Sequence, residues 1–377
     1  MLTRLLSATA LVALTGLPGA ADSYRLSTHG PENHPLHGNA VPIFAKSVDE
    51  ASGGRIQFEP FMSGALAEGR DTLKAIKTGV AQGGMIIGAY VPSDLPLNNV
   101  LNAATISLGD QAAAALAISQ LTFTNARMQK EWQNAGVVFG GGLSTPPLWL
   151  YCTTLVTKPA DFVGKKTWAT SGTQSELIAA LGGIPVTVTV SVNEVYSGLQ
   201  RGSLDCATND PSGIVKGFRW GEIARNVTTM PMGPVLGGAL FAHNEDFWTG
   251  LAAEDRQLLM EQMALGTARM LADYQVATEE NVTGGRAAGE TVVEPEPEFL
   301  AARDAFNAEF LQRIAKDAVS NRGIEDPTPV MEEFFALEAA WREKLEGVDR
   351  SDSQAVAALI MSEIYSKVDP ATYGVRN

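Results

Sequence analysis

The sequence predicts an α/β fold in two lobes with a helical C-terminal region, and three observations carry that prediction. Strand-length apolar or alternating runs are separated by segments of helical periodicity over the first two thirds of the chain. From residue 244 onward helical patterns dominate. The length, 377 residues, is more than one core usually fills and points to two domains.

Each element has a local reason. Residues 24–27 form a short apolar/polar run, and a polar loop with His29, His34 and His37 follows. Residues 41–51 (VPIFAKSVDEA) place apolar side chains at helical spacing and stop at Ser52-Gly53-Gly54. The run 55–61 alternates as a strand, 71–80 reads as a helix and 84–87 as a short buried strand. An Ala-rich stretch, 112–133, predicts one long helix before a strand at 136–140. Strands at 148–151, 165–168 and 204–207 alternate with helices near 174–181 and 193–199. Helices are expected at 252–280, 298–319, 331–346 and 353–367, punctuated by Pro295, Pro297, Pro327 and Pro329. Strands and helices in this order build mainly parallel sheets.

The N-terminus has the three parts of a secretory leader. Arg4 supplies the basic end, residues 5–17 are largely apolar, and Gly19, Ala20 and Ala21 set a cleavage site before Asp22. The competing reading, a membrane anchor, needs an apolar run of ~20 residues, longer than this one. Net charge is −14, and losing Arg4 with the leader takes it to −15. That sign excludes nucleic acid as a partner, because phosphate binding needs a basic surface. Two cysteines, Cys152 and Cys206, form an even pair in an exported chain. A disulfide is expected, against the alternative of two buried thiols.

Catalytic signatures are missing. There is no G-x-S-x-G elbow, Walker loop, H-E-x-x-H or G-x-G-x-x-G. The spacings among His29, His34 and His37 match no zinc pattern, so neither a metal nor a cofactor is expected. A periplasmic enzyme is therefore the weaker alternative.

Five stretches taken together resemble one family. They are 50–61 (EASGGRIQFEPF), 71–80 (DTLKAIKTGV), 159–166 (PADFVGKK), 193–205 (NEVYSGLQRGSLD) and 244–248 (NEDFW). In this order they are similar to the substrate-binding proteins of tripartite ATP-independent periplasmic (TRAP) transporters, the DctP-like family. The resemblance implies a two-lobed fold of the periplasmic-binding type II class, with a small solute captured by closure of the lobes and passed to membrane permease subunits. It implies a periplasmic location, with a ligand-sensing receptor subunit as the alternative use of the same fold. Lobe one is expected to comprise 22–146 plus about 236–285, and lobe two 147–235 plus about 286–377, with crossings near 144–147 and 231–236.

At one position the chain departs from the family. After the lysine pair the family carries an arginine that grips the ligand's carboxylate; here the residue is Trp168. An indole attracts a cation or stacks on a flat group, or it is simply core. The ligand is then a cation held by Trp168 and Asp210, a neutral or aromatic compound on Trp168, or an acid gripped elsewhere, as by Arg70 or a lobe-one histidine. The family pattern also points to Asn209 as a ligand contact, with Asp210 in place of its usual proline. Cys206 takes the place of a family glycine near the strand of Cys152, which ties the expected bridge to the cleft. His29, His34 and Tyr90 follow strands, where open α/β sheets present ligand groups.

Overall fold

A computed structural model describes residues 23–186 and 192–375. The expected leader, 1–21, lies outside the described residues. In chain order the strands are β1 (Ser23–Ser27), β2 (Gln57–Phe61), β3 (Gly83–Ile87), β4 (Val137–Phe139), β5 (Trp149–Cys152) and β6 (Lys166–Trp168). They continue with β7 (Ile184–Val186), β8 (Cys206–Asn209), β9 (Asn226–Thr228), β10 (Gly238–Asn244) and β11 (Thr291–Val293). They form two sheets, ordered β2-β1-β3-β10-β4 and β11-β9-β5-β8-β6-β7. The lobe built on each sheet is mixed rather than wholly parallel: β10 runs antiparallel to β3 and β4, and β5 antiparallel to β8 and β9.

Two crossing segments, 140–148 between β4 and β5 and 229–237 between β9 and β10, join the two sheets. Ser144 bridges Leu236, and the two segments run side by side, with Thr145 N donating to Val235 O (2.9 Å) and Leu148 N to Gly233 O (2.9 Å). A third connection is the helix Ala253–Ala287, whose 35 residues make a rod of about 50 Å. It holds lobe one where Asn39 Nδ2 donates to Asp273 (2.7 Å), and lobe two where Val215 N and Lys216 N donate to Asn281 Oδ1 (both 2.9 Å).

Two expectations need correction. The stretch 112–133 is two helices, Gln111–Thr124 and Ala126–Ala135, because Asn125 leaves helical geometry and caps the second by accepting from Arg127 N (2.9 Å). The last helices were expected with lobe two. Instead Thr328–Lys344 packs along Gln111–Thr124 of lobe one, burying Phe334 and Trp341, and Trp341 Nε1 donates to Gln120 (2.8 Å). A two-pronged Arg350–Asp110 pair (3.0 and 3.0 Å) fixes the following turn to the same lobe. Pro297–Arg322, by contrast, touches Pro96–Ala104 of lobe one and Gly172–Ala180 of lobe two.

Cys152 and Cys206 face each other directly in the β5–β8 pair and are joined by a disulfide.

Candidate functional site

A small cavity of about 40 Å³ lies between the lobes at the carboxyl ends of their strands. Lobe one contributes His29, just past β1, and Tyr90, in the turn after β3. His34 and His37 come from the loop and helix that follow His29. Lobe two contributes Trp168 at the end of β6, Asn209 at the end of β8, Asp210 and Phe218. Thr145, Leu148 and Val235 of the crossings floor it. This is where open α/β sheets bind ligands, because side chains beyond the strand ends are not consumed by the core.

His34 and Asp210 meet across the cleft. His34 caps the helix Pro35–Gly38: its Nδ1 accepts from Leu36 N (3.2 Å), so its proton sits on Nε2, 3.3 Å from Asp210 Oδ2. Ser212 N donates to Asp210 Oδ1 (2.9 Å), the Ser212 hydroxyl donates to the same oxygen (2.5 Å), and Tyr274 OH to Oδ2 (3.4 Å). Burial alone would raise the Asp210 carboxyl, but His34 and the Ser212 donors outweigh it and hold the group below its ordinary range. Gly217 makes this approach possible. It sits at φ +56°, and an added Cβ would lie 2.9 Å from the His34 ring.

The walls are aromatic. Trp168 is 1 % exposed and stands edge-on to Trp220 at 5.5 Å. It packs with Tyr151, Leu199 and Ala207 in the core of lobe two and also lines the cavity. Phe218 lies 5.5 Å from the His34 ring and 5.9 Å from His37. His29 and His37 are in edge contact at 4.6 Å. Two buried polar atoms of lining residues, His29 Nδ1 and Asn209 Nδ2, have no protein partner.

Of the residues picked from the sequence, Trp168, Asn209, Asp210, His29, His34 and Tyr90 converge on this cavity. Arg70 does not line it; it is exposed, near enough to Tyr90 to offset slightly the upward push that burial gives the phenol. No described lysine or arginine lines the cavity. Among the described residues no group of three or more His, Cys, Asp or Glu is arranged to hold a metal. Sequence reasoning missed Phe218 and Tyr274. Phe218 sits in an aperiodic loop with no signal, whereas Tyr274 belongs to the buried stripe Met263, Met270, Tyr274, Asn281, which shows burial but not the cleft.

The family described as "Bacterial extracellular solute-binding protein, family 7" (DctP) matches residues 26–317. The chain belongs to that family. As a family 7 protein it is similar to a "Solute-binding protein" of Verminephrobacter eiseniae, with 25% identity over 291 residues, covering 75% of this chain and 83% of the relative. It is also similar to a "Monocarboxylate 2-oxoacid-binding periplasmic protein" of a Nostoc species, at 23% over 350 residues, covering 85% and 86%. The fold matches that of a marine metagenome TRAP solute-binding protein specific for aromatic acid ligands. The TM-score is 0.73 and the identity 16%, covering 85% of this chain and 99% of that one. The family resemblance and the two-lobed α/β fold read from the sequence therefore stand. Family 7 proteins are solute receptors, and no helix among the described residues is long and apolar enough to cross a membrane.

The buried histidines give this family 7 chain a pH signature. Burial, with His34 adding to it at His29, lowers His29 to about 3, and burial lowers His243, stacked on Trp248 at 5.3 Å, also to about 3. His37 is pushed well below its ordinary value, by burial first and then by His29 and His34. An unfolded imidazole takes up its proton near 6.5. Between pH 6.5 and about 3 the unfolded chain binds protons that the folded chain refuses, so stability is complete above that window and falls as pH falls through it. Each such histidine costs roughly 2 kcal/mol between pH 7 and 5. Urea melts across that range will show the loss, and His243→Phe will remove one histidine's share. An unchanged slope in the variant refutes the assignment.

Proposed function

We propose that the chain is the extracytoplasmic solute-capturing subunit of a TRAP transporter, exported to the periplasm by its leader and offering the closed form to membrane permease subunits. The observation that carries this reading is the cavity shared by both lobes and spanned by His34 and Asp210. Trp168, Asn209, Asp210, His29, His34 and Tyr90 form the ligand's surroundings. Closure is a hinge movement about the paired crossings, and no covalent step is required. The named relatives take acids, a 2-oxoacid in one case and aromatic acids in the other. With Trp168 in the arginine's place and no lysine or arginine on the walls, this cavity lacks the fork that grips a carboxylate.

The test is a thermal-shift screen on the mature chain, refolded to strip any retained solute, against small acids, amines, polyols and aromatic compounds. A true ligand at about a hundred times its Kd adds ~2.7 kcal/mol, a shift of several degrees. X-ray scattering on the same sample will show a smaller radius with that ligand. A chain that no compound stabilises or contracts is not a solute receptor of this kind.

A further inference from the structure

We propose that the solute is a small, fully methylated ammonium cation bearing an oxygen, seated against the faces of Trp168 and Phe218 with Asp210 as its counter-charge. This rests on the reading of the chain as a solute receptor and names the ligand class of that same cavity.

Charge comes first. The Asp210 carboxylate receives donors from Ser212 N, Ser212 Oγ, His34 Nε2 and Tyr274 OH, and a group that accepts four donors carries no proton of its own. His34 accepts a backbone N–H on Nδ1, which leaves Nε2 as the nitrogen facing Asp210. No lysine or arginine among the described residues lines the cavity. Among the described residues Asp210 is the one acidic side chain on the walls and no lysine or arginine offsets it, an arrangement that favours a cation over a carboxylate.

The same saturation selects among cations. With four donors already on it, Asp210 has little to offer the N–H groups of a primary amine, which would enter the cleft partly unsatisfied. A methylated ammonium has no N–H to satisfy. It needs a counter-charge nearby and aromatic faces around it, and this is the chemistry that aromatic walls recognise. Trp168 and Phe218 line the cavity and supply aromatic surface.

Two unpartnered buried atoms complete the match. Asn209 Nδ2 is a donor with no protein acceptor, and His29 Nδ1 is likewise unmatched. An oxygen at the other end of the ligand satisfies Asn209. Gly213 is what leaves that amide so placed, since a Cβ there would fall 1.9 Å from Asn209 Nδ2.

The probes are choline, its uncharged carbon isostere 3,3-dimethyl-1-butanol, pyruvate and benzoate, titrated calorimetrically into the refolded mature chain. Choline is expected to bind at least tenfold more tightly than the isostere and than either acid, and Asp210→Asn is expected to lower that affinity tenfold or more. The isostere comparison uses the unaltered chain, so it stands even if Asp210→Asn fails to fold. Equal affinity for choline and the isostere overturns the proposal, because the charge then plays no part. Tighter binding of pyruvate or benzoate, lost in Trp168→Ala, overturns the ligand class and leaves the receptor reading intact. If no probe binds, native mass spectrometry of the chain purified without refolding decides. A retained methylated ammonium supports the proposal, any other retained solute overturns the class alone, and an empty chain overturns both.

Discussion

Trp168→Ala will lower stability by about 3–5 kcal/mol, the range for deleting a buried tryptophan, and will weaken solute capture at least tenfold. The indole is 1 % exposed and fills space between Trp220 and the β8 residue Ala207. Removing it forfeits its own burial, leaves a void and loses the edge-to-face contact with Trp220, itself worth ~0.5–1.5 kcal/mol. The void opens toward the inter-lobe cavity, so the wall that a ligand meets disappears with the core packing. Denaturant unfolding reads the first effect, and a fall in Tm of about 5 °C is expected for a chain of this size. A loss below about 1 kcal/mol would mean that the indole is not part of the lobe-two core.

Removing the disulfide should cost nearly as much. Cys152 and Cys206 are separated by 54 positions, and closing a loop of that length constrains the unfolded chain by about 4 kcal/mol. The loop contains β6, β7 and the helices Gly172–Ala180 and Val192–Gln200, the segment that delivers Trp168 to the cavity. The paired substitution Cys152→Ala with Cys206→Ala, or reduction of the native chain, should shift the urea midpoint accordingly. Equal midpoints with and without reductant would show that the bridge does not restrain the unfolded state.

Much of the architecture was legible because it rests on local chemistry. Ser52-Gly53-Gly54 ends a helix in the sequence and does so in the structure, where Gly53 takes φ +63° as the C-cap. The crossing segments contain Pro146, Pro147, Pro231 and Pro234, which break any regular element. What failed was tertiary. The apolar stripe Val330, Phe334 and Trp341 marks a face that must be buried but not which lobe buries it, and the partner, Gln111–Thr124, lies some two hundred residues earlier. The split at Asn125 was masked by alanines, whose helix propensity hides a cap in mid-stretch. At the site, strand ends and family pattern picked out seven residues, of which six line the inter-lobe cavity and Arg70 does not.

The long helix Ala253–Ala287 bears on how the receptor divides its time between shut and open. Asp273 is tied to Asn39 of lobe one, and the next residue, Tyr274, is tied to Asp210 of lobe two. One turn of one helix thus touches both lobes, and a movement that draws Asp210 away from that turn and from lobe one breaks its Tyr274 and His34 contacts. Two such bonds are worth about 1–3 kcal/mol together, so their contribution to keeping the cleft shut is modest. A solute of micromolar affinity, about 8 kcal/mol, exceeds that severalfold and can govern the balance on arrival and on departure.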